Sequence, residues 1–298
     1  MNKLLQFLLF TLLVGCAKEK RALVIQTDFG LKDGAVNEMK GVAFGIDPQL
    51  SIYDLTHEIP SYNIWEAGYR LYQAAPFWRA GTVFVSVVDP GVGTPRKSIV
   101  LRTLTDQFFV SPDNGTLTLI ADNLGKKEVR EIDEQRNRRP GSGASYTFHG
   151  RDVYVYTAAR LASGKISFEE VGPLLKTEVV RLDYQRPVLQ NQICKGNIPV
   201  LDVQYGNVWT NINDSLIKKL NVAIGDKLLI EIKNKKMPVY TSTVPFVNTF
   251  GDVPDKTPLA YLNSLMNFSL ALNMGNFADS FHISSGKDWT VQVRKAAQ

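Results

Sequence analysis

The chain has 298 residues, of which 44% are hydrophobic, and its formal net charge is +5. This composition excludes an intrinsically disordered protein and leaves room for two domains. The basic residues are scattered, which argues against a nucleic-acid partner, because nucleic acids select a continuous basic surface. The two cysteines, Cys16 and Cys194, are not in a zinc-binding spacing, so no metal site is predicted.

Residues 1–20 are predicted to be a lipoprotein signal peptide and tether. A short basic start is followed by an apolar run over residues 4–14, too short for a mature membrane span. The run ends in Leu-Val-Gly-Cys, which resembles a bacterial lipobox and makes Cys16 the predicted lipidation site. Because no aspartate follows Cys16, we expect an exported lipoprotein, anchored by its acyl chains on the periplasmic side, at the outer membrane. An uncleaved anchor or an ordinary buried cysteine is the alternative.

The region from residue 21 to 185 is predicted to be an N-terminal α/β catalytic domain, because strand and helix patterns alternate at its start. Strands are expected at residues 21–26, 50–55 and 82–88, and helices at residues 35–46 and 63–74. In such folds, ligands bind at the carboxyl ends of parallel strands. Asp28 follows the first strand and is suited to accept hydrogen bonds from ribose hydroxyls.

The third strand runs directly into a loop that begins with Asp89-Pro90-Gly91, and Arg96 follows seven residues after Asp89. A guanidinium near a carboxylate favours the ionised carboxylate. This pattern indicates a catalytic carboxylate at the end of a buried strand. The alternative is an aspartate that caps the next element, with an arginine on the surface.

The rest of the N-terminal domain carries a second candidate site. Further strands are expected at residues 98–102, 108–110 and 128–132, and a helix is expected to begin at residues 117–122. The arginine-rich stretch over residues 136–143 has no periodicity and predicts a solvated loop. His149 directly precedes a predicted helix over residues 153–163, and both a structural and a catalytic role are open for it.

A change in pattern predicts a second domain. Residues 186–196, with a proline and several amides, are expected to be a linker. Residues 197–298 contain short strands bounded by turns and little helix, which is typical of a small β-barrel or sandwich. The expected strands are residues 198–203, 208–212, 227–232, 237–244, 259–262 and 289–293.

Five motifs, each weak alone, occur together in a characteristic order. They are Thr27-Asp28-Phe29-Gly30, Val88-Asp89-Pro90-Gly91-Val92-Gly93-Thr94, Ser111-Pro112-Asp113-Asn114-Gly115, Phe148-His149-Gly150-Arg151-Asp152 and Gly206-Asn207. Through them, from Ala22 to Val293, the chain resembles the S-adenosyl-L-methionine hydroxide adenosyltransferase family, which is related to the fluorinases and chlorinases.

This resemblance implies an α/β fold, with an N-terminal Rossmann-like domain that has a mostly parallel central sheet, and a C-terminal small β-barrel. It implies a homotrimer with sites at subunit interfaces, and no cofactor or metal, since S-adenosyl-L-methionine is the substrate. The implied enzyme hydrolyses that substrate to adenosine and L-methionine by attack of water or hydroxide at ribose C5′. Asp89, Arg96 and His149 match the family's catalytic set, with the base, Asp89 or His149, left open. The related halogenases lack this carboxylate, which argues against a halogenase.

The resemblance also implies substrate contacts. Asp28 is expected to hold the ribose diol, with Tyr62 near the adenosine. Asp202 and Asn207 suit the amino and carboxylate groups of methionine. The remaining expected contacts are Trp209, which could stack or simply pack, and Ser264, Ser269 and Leu272.

A second hypothesis keeps the binding site and removes the reaction. Segment 263–269 departs from the family pattern, which also fits a non-catalytic lipoprotein that captures adenosine or another nucleoside. An enzyme would release adenosine from S-adenosyl-L-methionine, whereas a binding protein would retain its ligand unchanged.

Overall fold

The N-terminal region is built on a six-stranded mixed sheet, in a computed structural model that describes residues 20–296. Its strands are β1 (Leu23–Thr27), β2 (Ile52–Thr56), β3 (Val83–Val87), β4 (Ser98–Thr103), β5 (Phe108–Pro112) and β6 (Lys126–Glu131). The spatial order is β2-β1-β3-β5-β4-β6. The pairings among β2, β1, β3 and β5 are parallel, whereas β4 is antiparallel to both β5 and β6. The expected α/β architecture is confirmed, with a sheet that is mixed.

Helices cover both faces of this sheet. They are α1 (Ala35–Ile46), α2 (Ile64–Ala74), α3 (Thr118–Asn123), α4 (Glu134–Asn137) and α5 (Val155–Ala162). A π-helical turn, Gly150–Tyr154, leads directly into α5, and turns of this kind are frequent at functional sites. The 3₁₀ turns are Ala75–Phe77 and Glu169–Val171.

The alternation of side chains along β1 explains why helices are needed on both faces. Leu23 and Ile25 pack with α1 and α5, whereas Val24 faces a second core with α2 and α3. All five residues of β1, and all five of β3, are buried. Strands buried on both faces are continuous apolar runs, which is why their positions were predictable from sequence.

The C-terminal region consists of two antiparallel sheets around one core. Its strands are β7 (Val188–Gln190), β8 (Ile193–Asn197), β9 (Val200–Leu201), β10 (Val208–Asn213), β11 (Lys227–Asn234), β12 (Met237–Pro245), β13 (Pro258–Leu262), β14 (Asn267–Leu272) and β15 (Trp289–Lys295). The sheets have the orders β13-β14-β10-β9 and β12-β11-β15-β8-β7. An isolated bridge between Phe246 and Ala260 joins them at one edge. A closed barrel stays a prediction, and two antiparallel sheets are what is observed.

Short helical elements and an unexpected strand accompany these sheets. The helices are α6 (Asp214–Lys218) and α7 (Phe277–Ser280), with a 3₁₀ turn at Phe250–Asp252. The segment expected to be a linker, residues 186–196, contains β7 and most of β8. β8 is held in the sheet by backbone hydrogen bonds to β15 and β7. Its polar residues gave no strand pattern in the sequence, because a strand of this kind depends on its neighbours. β14 was also missed, because Asn267 and Ser269 interrupt its apolar pattern.

The two regions contact each other within the chain. Trp65 Nε1 on α2 donates to the Pro199 carbonyl at 2.8 Å, and Arg70 Nη2 donates to the Leu201 carbonyl at 3.4 Å. Within residues 20–296, no helix is long and apolar enough to cross a membrane. The predicted signal peptide and its Cys16 lie outside the described residues, apart from residue 20.

Candidate active site

A cavity lies at the carboxyl edge of the parallel strands. It has a volume of about 280 Å³ and is lined by loops that follow β1, β2 and β3 and by the start of the π-helical turn. Four predicted site residues line it together: Asp28, Tyr62, Asp89 and His149. These residues are far apart in sequence, and the parallel arrangement of β1, β2 and β3 brings their loops to one edge.

Asp89 is held in a bidentate ion pair. Arg96 Nε donates to Oδ1 at 3.0 Å and to Oδ2 at 3.1 Å, and Arg96 Nη2 donates to Oδ2 at 2.6 Å. The side chains are only 5% exposed for Asp89 and 11% for Arg96. Paired hydrogen bonds of this type fix the plane of the carboxylate and keep an opposite charge beside it. Burial is the largest influence on the pKa of Arg96 and acts to lower it, but the hydrogen bonds to Asp89 together with the charges of Tyr154, Asp89 and Glu134 raise it overall.

Two further side chains support this pair from below. Tyr154, in the π-helical turn, donates its hydroxyl hydrogen to Asp89 Oδ2 at 3.4 Å. The guanidinium of Arg96 lies 5.6 Å from the centre of the Tyr154 ring and donates from Nη1 to Ser98 Oγ at 3.2 Å. Burial, followed by the Asp89 charge, raises the pKa of Tyr154, so its hydroxyl keeps its hydrogen.

His149 meets a pair of side chains that sequence reasoning missed. Arg138 Nη2 lies 3.1 Å from His149 Nε2 and also donates to Glu134 Oε2 at 2.8 Å. Glu134 Oε1 accepts from Ser98 Oγ at 3.0 Å, which links this pair to Arg96. A continuous polar chain therefore joins the carboxylate side of the cavity to the histidine side.

The charges around Glu134 keep it ionised. The His149 ring, Arg138 and Ser98 each act to lower the pKa of Glu134 below its ordinary value, although burial opposes them. The short helix α4 carries Glu134, and Asp133 caps it by accepting from the Gln135 backbone N–H.

The prediction of a solvated loop over residues 136–143 is correct for only some of the arginines in it. Arg136 is 81% exposed, but Arg138 is 11% exposed and paired with Glu134. Arg139 Nε donates to the buried Asp152 at 2.8 Å. Glu134 precedes the arginine-rich stretch and Asp152 follows it. These flanking carboxylates were the feature of the sequence that could have indicated buried ion pairs.

Asp28 is fixed by the loop that carries Tyr62. The backbone N–H of Tyr62 donates to Asp28 Oδ2 at 2.9 Å, and Tyr62 has φ = 67°, in the left-handed region. The Tyr62 ring is 72% exposed at the mouth of the cavity. Behind this loop, buried His57 contacts Thr27 Oγ1 at 2.9 Å and Asp54 Oδ1 at 3.0 Å, which ties β2 to the end of β1.

The C-terminal candidates form a separate group. Asn207 Nδ2 donates to Asp202 Oδ2 at 3.2 Å, and the Asp202 backbone N–H donates to the Asn207 carbonyl at 2.8 Å. The two residues therefore close one tight turn between β9 and β10. Val203 and Tyr205 in this turn are 82% and 66% exposed. Neither Asp202 nor Asn207 is among the described residues that line the cavity.

The four other C-terminal candidates differ in exposure, and none lines the cavity among the described residues. Ser264 is exposed in the turn between β13 and β14, whereas Ser269 is fully buried and donates to the Asn267 carbonyl at 3.2 Å. Trp209 packs against Tyr69, Leu119 and Val200, and its Nε1 is buried without a partner in the described chain. Leu272 packs against the C-terminal core.

Comparisons with known proteins agree with this two-part construction. Residues 23–172 match the family described as the SAM hydroxide adenosyltransferase N-terminal domain, and residues 196–290 match the corresponding C-terminal domain. An (R)-S-adenosyl-L-methionine hydrolase of Thermus thermophilus is 31% identical, over 89% of this chain and 97% of that protein. A fluorinase of Actinoplanes is 26% identical, over 92% of this chain and 97% of its own length. A crystal structure of an uncharacterized conserved protein from Thermotoga maritima superimposes with a TM-score of 0.84 at 34% identity, and covers 92% of this chain and 100% of that one.

The comparisons contradict the predicted location. The hydrolase relative, which aligns with most of the chain, is named for its action on S-adenosyl-L-methionine, and the family match begins at residue 23, after the apolar run. The prediction of an exported, membrane-anchored lipoprotein is therefore wrong. A match to a short motif is a hypothesis that carries a risk of a false positive.

Proposed function

Because the chain belongs to the S-adenosyl-L-methionine hydroxide adenosyltransferase family, we propose that it hydrolyses S-adenosyl-L-methionine to adenosine and L-methionine. The observation that carries this proposal is the buried Asp89–Arg96 pair, which lines one cavity together with Asp28 and His149 through its carboxylate. A fixed carboxylate beside a nucleoside-sized hollow is what activation of a water molecule requires.

The reaction is a displacement at a saturated carbon. A C5′–O bond forms while the C5′–S bond breaks, and the electron pair of the broken bond neutralises the sulfonium to give the thioether of methionine. The attacking water loses one proton to a base in the cavity. A positioned base contributes a factor of about 10²–10⁴. Asp89 suits this role, because Arg96 and Tyr154 orient it and shield it from bulk water.

The ribose is assigned to the Asp28 side of the cavity. The Asp28 carboxylate already accepts from the Tyr62 backbone at one oxygen, which leaves acceptor capacity for the two ribose hydroxyls. The exposed ring of Tyr62, at the cavity mouth, is suited to cover the sugar or the base.

We assign the methionine portion to the C-terminal domain of a neighbouring chain. The Asp202–Asn207 turn offers a carboxylate and an amide to the amino and carboxylate groups of the substrate. Exposed Val203 and Tyr205 beside it are suited to an intersubunit contact. A homotrimer, with three sites each shared by two chains, follows as the proposed assembly. Ser264 belongs to the same proposed surface, as an exposed turn residue.

The proposal is tested by incubation of the purified protein with S-adenosyl-L-methionine in ¹⁸O-labelled water. We expect adenosine that carries one label on the 5′ oxygen, together with unlabelled methionine. A parallel reaction with chloride or fluoride in excess tests for 5′-halo-adenosine, which we expect to be absent. Substrate that stays bound to the protein unreacted, or adenosine without the label, would overturn the assignment as a hydrolase.

A further inference from the structure

We propose that Arg138 and Glu134 are positioning residues that hold His149 as a neutral imidazole with its hydrogen on Nδ1. In this state His149 serves the reaction as a hydrogen-bond donor, and Asp89 is the base. The inference rests on the proposed hydrolysis and deepens it, because it separates two roles that the sequence left open.

The contact at Nε2 decides the tautomer. A guanidinium has only donors, and Arg138 Nη2 lies 3.1 Å from His149 Nε2. An imidazole nitrogen that faces such a donor must present its lone pair, so Nε2 carries no hydrogen. The alternative acceptor, Glu134 Oε2, is 3.7 Å from Nε2, beyond hydrogen-bond length. The shorter contact therefore assigns the ring hydrogen to Nδ1.

Arg138 is itself held in place from the other side. Its Nη2 donates to Glu134 Oε2 at 2.8 Å, and Glu134 Oε1 is fixed by Ser98. The guanidinium also lies 4.8 Å from the centre of the Tyr146 ring. With the charge balanced by Glu134, Arg138 is able to approach a neutral imidazole without an unpaired buried charge.

Nδ1 is left with no partner among residues 20–296, although it is buried and the ring lines the cavity. An unpaired buried N–H is costly, so a partner from outside the protein is expected during the reaction. Other charged or titratable groups near the ring are Tyr154 and Tyr146, with ring centroids 6.5 Å and 6.3 Å away, and Asp89 and Asp28 across the cavity. Because Nδ1 has almost no accessible surface, the ring must turn slightly for its hydrogen to reach the attacking oxygen, which then loses its proton to Asp89.

The first test reads the tautomer without any activity. Long-range ¹H–¹⁵N correlation spectra of the full chain, labelled at its three histidines, distinguish a nitrogen with a lone pair from one with a hydrogen. We expect the lone pair of His149 on Nε2 in the wild type, with the signals assigned from their loss in H149N. A hydrogen on Nε2 in the wild type would overturn the proposal, whether or not the protein is a hydrolase.

The second test compares R138M with R136M, a matched change two residues away on the exposed side of α4. Without Arg138, Nε2 is free to take up a proton, and ordinary imidazoles do so near pH 6.5. At pH 5.5 only about one tenth of such rings remain neutral, so we expect kcat of R138M to fall about tenfold from pH 8 to pH 5.5, with little change in KM. The wild type and R136M should share a flatter dependence of kcat on pH. The R138K variant should lie between them and R138M.

Profiles of R138M and R136M that superimpose would overturn the positioning role. A third comparison, of H149N with H149Q, tests the proposal even if R138M fails to fold. The amide nitrogen of Asn reaches the position of Nδ1 and that of Gln reaches Nε2, so H149N should retain more kcat than H149Q. The reverse order would contradict the proposed donor. An inactive wild type that shows the expected tautomer would instead count against the hydrolysis alone.

Discussion

The two halves of the proposed site are built in opposite ways. In the N-terminal domain, Asp28, Asp89 and His149 lie more than 100 residues apart at their extremes, yet they line one cavity. In the C-terminal domain, Asp202 and Asn207 are neighbours in one turn, whereas Ser269 lies in the core. Parallel strands bring their carboxyl ends to one edge, but antiparallel strands send successive turns to opposite edges. We therefore expect the first half to carry the chemistry and the second to bind the methionine portion of the substrate.

The largest effect is expected at the centre of the N-terminal half. D89N keeps an acceptor for Arg96 but removes the charge that takes up the proton, so kcat should fall by about 10²–10⁴-fold. The measurement is adenosine release, separated by chromatography. D106N is the matched control, because Asp106 is a half-buried aspartate paired with Arg102 that does not line the cavity, and its φ of 59° is one that asparagine tolerates. Equal losses in both variants would remove Asp89 from the reaction.

The next effect concerns binding by the C-terminal half. D202N keeps Oδ1 as the acceptor for the Gln204 backbone, but it removes the charge and replaces Oδ2, the acceptor for Asn207 Nδ2, by an amide nitrogen. A charged hydrogen bond contributes about 1.5–3 kcal/mol, so KM should rise by about 10-fold or more with a smaller change in kcat. D255N, at an exposed position of the same domain, should behave as the wild type. A fall in kcat at constant KM would contradict the division of labour.

A mixing experiment sharpens the comparison between the halves. If each site joins the Asp89 face of one chain to the Asp202 turn of another, random trimers of D89N and D202N contain intact sites. In an equal mixture about one quarter of the sites combine both native residues. We expect activity at low substrate to rise well above that of either variant after joint refolding. If activity does not rise, either each site uses the Asp202 turn of its own chain or the turn takes no part in the site.

Acid stability probes the histidine side of the cavity. The pKa of Glu134 in the fold lies below its ordinary value of 4.5. Its stabilising contribution is complete above about pH 4.5 and is lost as the pH falls through the lowered pKa. The free energy of unfolding should therefore decline more steeply over this range in the wild type than in E134Q. Urea titrations at each pH measure this slope, and E58Q, an exposed site, should keep the wild-type slope.

The smallest effect is expected at Ser269. Its hydroxyl donates to the Asn267 carbonyl inside the fold, so S269A should lower the free energy of unfolding by about 0.5–1.5 kcal/mol. KM should stay within about twofold of the wild type, because a fully buried side chain does not reach the substrate. A larger rise in KM would restore Ser269 as a binding residue. Substrate titrations and thermal unfolding on the same preparations decide between these outcomes.

Much of the N-terminal half was predictable because its signals are local. A continuous apolar run fixed β3, and the break at Asp89 marked its carboxyl end. Residues 35–46 and 63–74 were predicted as helices, close to the observed α1 and α2. β8 was hidden, because its polar residues form a strand only through pairing with β15. The exported location was wrong, because a short apolar pattern was given more weight than it carries.

The sequence by itself determined the order of the elements, the identity of the family and the residues at the ends of the parallel strands. These features depend on periodicity, on turn residues and on motifs that are contiguous in the chain. Only the tertiary structure decided that Arg138 faces His149 and that Glu134 holds it, while Arg136 points to solvent. The pattern of charges in residues 134–139 does not show which arginine is buried, because burial depends on how α4 packs beside Ser98 and the π-helical turn.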